Sequence, residues 1–225
     1  MILKNNNISK KVLRIDQQKS DYLYINKTRY DIIDIDKLEN KIFEFIGKQQ
    51  LNKVRVINDI VFNQAFGQSP MVNLYWDGIN NQPAANNPWF NQVCPHPPYC
   101  WGYDFDHSSQ ATKNFIDRVT HYWLDEYHID GFRFDFTKGF SNNSNNYDDD
   151  RINLIKRMAD TIWSVHPNSY VILEHWAANN EEKILANYGM LLWGNITHSY
   201  QESAMGYPAN SNLSGGVYKY KLWNE

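Results

Sequence analysis

Two apolar runs that each stop at an acid constrain this chain more than anything else in it. Gly131-Phe132-Arg133-Phe134-Asp135 and Tyr170-Val171-Ile172-Leu173-Glu174 read as strands, with a helix-like segment between them. Such largely apolar runs suit strands covered on both faces, and strand–helix–strand order makes the pair parallel. The alternation extends in both directions. Leu38, Ile42, Phe45 and Ile46 fall at helical spacing with Gly47 near the end, and a β-branched run from Val54 to Phe62 follows. Ala111, Phe115, Val119, Tyr122 and Trp123 form a second helical stripe, with Asp106 and Ser108 as candidate caps. Asp148, Asp149 and Asp150 open a third helix, their charges favouring its N-terminus, with Ile152, Ile155, Ala159 and Ile162 as its buried stripe. A short helix near Glu181 to Asn187 and a strand from Met190 to Trp193 complete the series. The expectation is an α/β fold with a parallel sheet inside and helices outside.

Two segments break the alternation. Residues 1–35 are polar and aperiodic, so they are expected to form an N-terminal arm outside the domain of residues 36–225. Residues 64–106 are punctuated by Gly67, Pro70, Gly78, Pro83, Pro88, Pro95, Pro97, Pro98 and Gly102, and carry Trp76, Trp89, Phe90 and Trp101. A loop that long inside a compact domain is functional or a small subdomain, and it reads as a lid.

Composition excludes more than it selects. A net charge of -3 gives no electrostatic reason to expect nucleic acid or an anionic membrane as partner. No stretch is long and apolar enough to span a bilayer, and the N-terminus has no apolar core of a secretory signal. Compartment stays open. Eight Trp and fifteen Tyr are a large aromatic supply, suited to surfaces that bind something both apolar and hydroxylated, although a packed core would use many of them. Cys94 and Cys100 flank a proline-rich loop, and a disulfide and two thiols are equally compatible with that spacing. A zinc site from these cysteines and His96 lacks the usual ligand spacing.

The strand ends resemble the α-amylase family of glycoside hydrolases, family 13. Asp59-Ile60-Val61-Phe62-Asn63 is similar to the family's first conserved segment, Gly131 to Lys138 to its second, and Val171-Ile172-Leu173-Glu174 to its third. Their order matches strands three, four and five of the family's barrel, and the long loop is similar in tone to those of exported bacterial amylases. The resemblance implies a partial parallel (β/α)8 TIM barrel, strands three to six, with residues 64–106 as the inserted domain B-like loop. It implies an α-linked glucan, starch or maltooligosaccharide, as substrate, cut by a retaining mechanism. Asp135 is then the nucleophile and Glu174 the general acid and base, a division of labour that paired carboxyls about 5 to 5.5 Å apart perform. Arg133, two residues before Asp135 on one strand, projects to the same side and would keep Asp135 ionised. Packing against Trp176 or other aromatics would keep Glu174 protonated near neutral pH.

The remaining assignments follow the same resemblance. Asp59 is similar to the family acid that steadies the arginine. Gln64, Lys138, His175 and Trp176 are candidate substrate contacts. Asn63 resembles a ligand of the structural Ca2+ that many members bind, and Asp104 is a candidate second ligand, since Asn and Asp oxygens suit a hard cation. Asn63 turning the chain and Asp104 capping a helix is the plainer alternative.

Three departures qualify the match. Gln64 stands where the family usually has a sugar-contacting histidine. Gly139 stands where a histidine often follows the lysine, which puts substrate contacts there in doubt. No His-Asp pair like the one carrying the family's transition-state-stabilising aspartate occurs between Trp193 and Glu225; His198 is followed by Ser199. A whole barrel needs eight strand–helix units over about 250 residues. The expectation is therefore a section of a longer enzyme, whose missing strands would come from the full-length chain. An inactive remnant that binds carbohydrate through Trp76, Trp89 and Trp101 is the competing reading, and a structural ion pair between Arg133 and Asp135 the plainest one.

Overall fold

The structure is a computed structural model that describes residues 13–14, 22–25, 28–31, 35–193 and 197–207. Within the N-terminal segment, β1 (Leu13–Arg14), β2 (Tyr22–Ile25) and β3 (Thr28–Asp31) pair antiparallel in order and form a sheet of their own. The rest of the segment read as an arm lies outside the described residues.

The alternation then unfolds as α1 (Ile35–Leu51), β4 (Ile57–Ile60), α3 (Gln110–Tyr127), β9 (Gly131–Phe134), α4 (Asp149–Val165), β10 (Tyr170–Leu173), α5 (Asn179–Tyr188), β11 (Leu191–Leu192) and α6 (Thr197–Ala204). The four strands form one parallel sheet in the order β11-β10-β9-β4. Phe132, Phe134, Val171 and Leu173 are buried and pack with Ile42, Ile46, Ile116, Ile155, Ile162 and Leu185 from α1, α3, α4 and α5. Side chains alternate along a strand, so Arg133 faces away from this core while its neighbours fill it. The result is the α/β partial barrel that the sequence implies, with half of the eight strands that closure requires among the described residues.

Gly131 is where sequence and fold are most tightly matched. It has φ +156°, and a Cβ there would lie 2.3 Å from the backbone oxygen of Tyr170. Only glycine lets β9 and the start of β10 approach this closely.

The expected boundaries shift in three places. The run from Val54 begins as exposed, irregular chain, and its strand is Ile57–Ile60. The buried stripe of α3 is Thr112, Ile116, Thr120, Leu124 and Tyr127, one residue round from the expected one, while Tyr122 is exposed. Two threonines conceal that face in the sequence, and both hydroxyls find acceptors: Thr112 donates to Trp89 O outside the helix and Thr120 to Ile116 O within it. The helix is capped by Ser109, whose Oγ accepts from Ala111 N, rather than by Asp106 or Ser108.

Residues 64–106 hold more structure than their prolines suggest. β5 (Gln64–Ala65) and β8 (Tyr103–Asp104) pair antiparallel and close the neck, with Gln64 opposite Asp104. Between them lie α2 (Pro70–Asn73) and the pair β6 (Trp76–Asp77) with β7 (Gln82–Pro83). Val72, Phe90 and Phe105 form a small core of this segment, joined by Trp76, Trp89 and Tyr103. Cys94 and Cys100 are disulfide-bonded.

Candidate active site

The sheet register sets the acids beside one another. β9 is central, with Asp59 of β4 directly opposite Arg133 and Ile172 of β10 opposite it on the other side. The ladders continue one residue past the strand ends: Asp135 N donates to Ile60 O and Glu174 N to Phe134 O, both at 3.0 Å. Asp135 and Glu174 therefore leave adjacent strands at the same level, on the C-terminal side where barrel active sites are built.

Arg133 gathers them. Its Nη1 lies 2.7 Å from Asp59 Oδ1 and 2.6 Å from Asp135 Oδ1, and its Nη2 lies 2.6 Å from Glu174 Oε2. The Trp193 ring covers the guanidinium, its centroid 4.1 Å from Cζ. A planar, permanently charged fork meets the three carboxylates through two separate nitrogens, a span that the single nitrogen of an ammonium does not reproduce. Burial pushes the Glu174 carboxyl above its ordinary value, and the neighbouring Asp135 carboxyl adds to the rise, while Phe136 N and Arg133 pull the other way. A carboxyl raised in this manner can hold a proton and donate it.

The turns after both acids are strained. Phe136 and Trp176 have φ of +40° and +55°, a region that aromatic side chains seldom occupy. Phe136 becomes the hub of a cluster: Trp101, Tyr99 and Trp176 lie with ring centroids 4.9, 5.5 and 5.7 Å from it. Those three rings are each partly exposed, so they offer flat apolar faces beside the carboxylates.

Behind the acids runs a buried polar relay. Arg151 donates to both oxygens of Glu181, from Nε at 2.7 Å and Nη2 at 2.8 Å. Glu181 Oε1 also meets His175 Nε2 at 2.8 Å, and His175 Nδ1 meets Thr137 Oγ1 at 2.9 Å. Thr137 N in turn donates to Glu174 O at 2.9 Å. The relay thus fixes the backbone that carries Glu174. It also corrects one expectation: His175 is buried with both ring nitrogens engaged, leaving nothing to offer a sugar, and is a structural residue rather than a pocket wall.

The other expected contacts spread out. Trp176 faces the aromatic cluster. Lys138 Nζ reaches Asn146 Oδ1 at 3.3 Å and sits over the Tyr99 ring. Gln64 Oε1 accepts from Asn63 Nδ2 at 2.6 Å, at the neck of the inserted segment. Gly139 is buried against Asn63, where a Cβ would come within 1.6 Å of Asn63 Oδ1. The missing histidine thus concerns the surroundings of Asn63, not a substrate contact.

Asn63 and Asp104 flank that neck, where Gln64 pairs with Asp104 and Phe105 N donates to Asn63 O at 3.0 Å. Among the described residues no three His, Cys, Asp or Glu side chains stand together as a metal cluster. Yet Asn63 Oδ1 and Asp104 Oδ1 are buried with no hydrogen-bond partner, and burial lifts the Asp104 carboxyl to about 7. Orphaned buried oxygens, that of Asn63 facing a space any side chain at position 139 would fill, fit a hard cation.

Sequence reading missed Trp193, Tyr99 and the Arg151–Glu181 pair. Arg151 follows three aspartates and Glu181 opens a helix, so both pass for solvated helix-end charges. Burial alone reveals them.

Comparison with known proteins places these features. Residues 102–223 match the family described as "Alpha amylase, catalytic domain". No curated protein matches the chain. Amy13B of Eubacterium rectale superimposes with a TM-score of 0.58 at 19% identity, over 81% of this chain and 42% of that one. An Anoxybacillus alpha-amylase gives 0.53 at 17% identity, over 74% and 35%. A type I pullulanase from Bacillus subtilis, complexed with maltose, gives 0.51 at 21% identity, over 72% and 22%. The chain therefore spans less than half the length of each of these proteins, and the likeness to them is one of fold. With over half of its residues matched, and Arg133, Asp135 and Glu174 inside the matched span, the chain belongs to the alpha-amylase family through its catalytic domain.

Proposed function

We propose that this domain hydrolyses α-linked glucan with retention of configuration, Asp135 acting as nucleophile and Glu174 as general acid and base. The observation that carries the reading is Arg133, which holds both carboxylates at adjacent strand ends while Asp59 steadies it from the far side. Asp135 attacks the anomeric carbon as Glu174 gives its proton to the departing glycosidic oxygen, leaving a glycosyl ester on Asp135 and a free sugar hydroxyl. Glu174 then takes a proton from water, the water oxygen attacks the anomeric carbon, and Asp135 departs as a carboxylate. The upward shift of Glu174 suits the first step, and the charge of Arg133 suits an ionised nucleophile.

The strained turns support the same reading, since backbone strain gathers at sites whose geometry must be held. Residues 64–106 act as the domain B-like lid, with Tyr99 and Trp101 stacking on sugar rings beside Trp176 and Lys138. Asn63 and Asp104 would hold a structural Ca2+, which supplies a hard charge that ties the neck of the lid to the end of β4. The domain division follows: residues 36–225 as the catalytic part, residues 64–106 as its insert, and the remaining strands contributed by the full-length protein.

Starch and maltooligosaccharide digests, followed by proton NMR, test this on the chain and on versions extended at both ends. The reading expects the α-anomer to be released first, with loss of activity in Asp135→Asn and Glu174→Gln. Release of the β-anomer would refute retention and with it Asp135 as nucleophile; an extended protein that binds glucan without cutting it would refute the catalytic assignment and leave the carbohydrate-binding remnant, which the exposed Trp101 and Trp176 favour.

A further inference from the structure

We propose that His96 donates an imidazole nitrogen to the cation held by Asn63 and Asp104, so that the site prefers a first-row divalent ion such as Mn2+ over Ca2+. The inference rests on the cation-site reading above and adds a donor to it. His96 Nε2, like Asn63 Oδ1 and Asp104 Oδ1, is buried and has no hydrogen-bond partner. The three residues are 4%, 2% and 3% exposed. A buried polar atom left unsatisfied is costly, so orphaned atoms set side by side call for an occupant between them.

They are gathered. His96 Nε2 lies 3.7 Å from Asp104 Oδ1, too far for a hydrogen bond and within the span that two ligands of one ion keep. The carbonyls of Gly139 and Ser141 lie near the same ring, and Gly139 lies against Asn63 Oδ1. The backbone around position 139 thus borders both His96 and Asn63. The disulfide that removes Cys94 and Cys100 as thiolate ligands closes the short loop that carries His96.

Ligand chemistry then decides the ion. Carboxylate and carbonyl oxygens serve Ca2+ and Mn2+ alike, but imidazole is a ligand of first-row metals, and a mixed set favours them over Ca2+.

The test strips the full chain with chelator and titrates Mn2+ and Ca2+ separately by calorimetry. Pulsed electron paramagnetic resonance of the Mn2+-loaded protein then reads nitrogen hyperfine coupling directly, without any variant. The expected result is Mn2+ binding at least about ten-fold tighter than Ca2+, with imidazole coupling present. His96→Gln, its fold checked by circular dichroism, should lose the coupling and the preference while still binding Ca2+. Absence of nitrogen coupling in the unaltered chain, or an unchanged ion preference in His96→Gln, would overturn the role of His96 and leave an oxygen-only site. If neither ion binds, or Asp104→Asn and Asn63→Ala bind both as the unaltered chain does, the cation site itself fails and the role of His96 with it.

Discussion

Replacing Glu181 with leucine should be among the most destabilising single changes available to this domain. Glu181 is fully buried and accepts from Arg151 Nε and Nη2, His175 Nε2 and Asp148 N, at 2.7, 2.8, 2.8 and 3.0 Å. Leucine removes all four acceptor contacts and leaves the guanidinium of Arg151, also fully buried, with only the more distant Asp148 carboxylate, Oδ2 at 3.8 Å from Nη1. Breaking a buried pair from one side costs about 3–5 kcal/mol. Arg151 keeps carbonyl contacts to Lys138, Asn143, Asn145 and Asn146 at 3.1–3.4 Å, which soften the loss towards the lower end of that range. With a urea slope of about 2 kcal/mol/M, a loss of 3 kcal/mol lowers the unfolding midpoint by roughly 1.5 M. Arg151→Met combined with Glu181→Leu removes the stranded charge, so the double variant should be more stable than Glu181→Leu alone. Acid should act in the same direction. Burial pushes the Glu181 carboxyl up, but hydrogen bonds from His175 and Arg151 outweigh it and hold the group below its ordinary value. A carboxylate depressed on folding stabilises fully above its unfolded pKa, and that contribution is lost as pH falls through the folded value. His175, held neutral chiefly by burial, likewise loses its contribution as pH falls below its ordinary value of 6.5. A Glu181→Leu midpoint within about 0.3 M of the unaltered chain, or a double variant less stable than the single, would refute this account of the relay.

Other changes test the site and its frame. Burial raises the Glu174 pKa and the proposed mechanism uses it as a proton donor, so kcat/KM of whichever form of the chain cuts glucan should fall on the alkaline side with an apparent pKa above the ordinary carboxyl value; a limb at that ordinary value would contradict it. Arg133→Lys keeps the charge but cannot span Asp59, Asp135 and Glu174, and should cut kcat by about 100-fold or more with little change in KM, as initial rates would read. Gly131→Ala drives a methyl into the Tyr170 backbone and should cost at least about 3 kcal/mol in denaturant unfolding. Replacing Cys94 and Cys100 together by alanine opens a short loop and should cost about 2 kcal/mol, readable as a lower thermal midpoint.

The parts of the fold and site that are legible in the sequence depend on short-range rules, and the parts that are not depend on burial of polar groups by distant segments. Period-two alternation alone aligns Arg133 with Asp135, and strand–helix order makes β9 and β10 parallel; that Asp135 and Glu174 share one level is implied by the family resemblance and set in the fold by the register, Leu173 opposite Phe134. The stripe of α4 is equally plain, because Ile152, Ile155, Ala159 and Ile162 are apolar and all buried. The stripe of α3 is obscured because Thr112 and Thr120 sit in the core, which a hydroxyl tolerates only when a carbonyl within reach accepts its proton, and for Thr112 that carbonyl belongs to Trp89 in the inserted segment. Arg151 and Glu181 carry the same problem further. Each looks like a helix-end charge, and each is buried because the loop after β9 folds over it with carbonyls of Asn143, Asn145 and Asn146 turned inward. That loop is polar in sequence, and its asparagine-rich composition reads as solvated. Its backbone instead serves as solvent for a buried guanidinium. A buried charge must be solvated by something, so wherever an arginine in this family of folds loses all contact with water, the carbonyls of an adjoining loop are the place to look for its replacement shell.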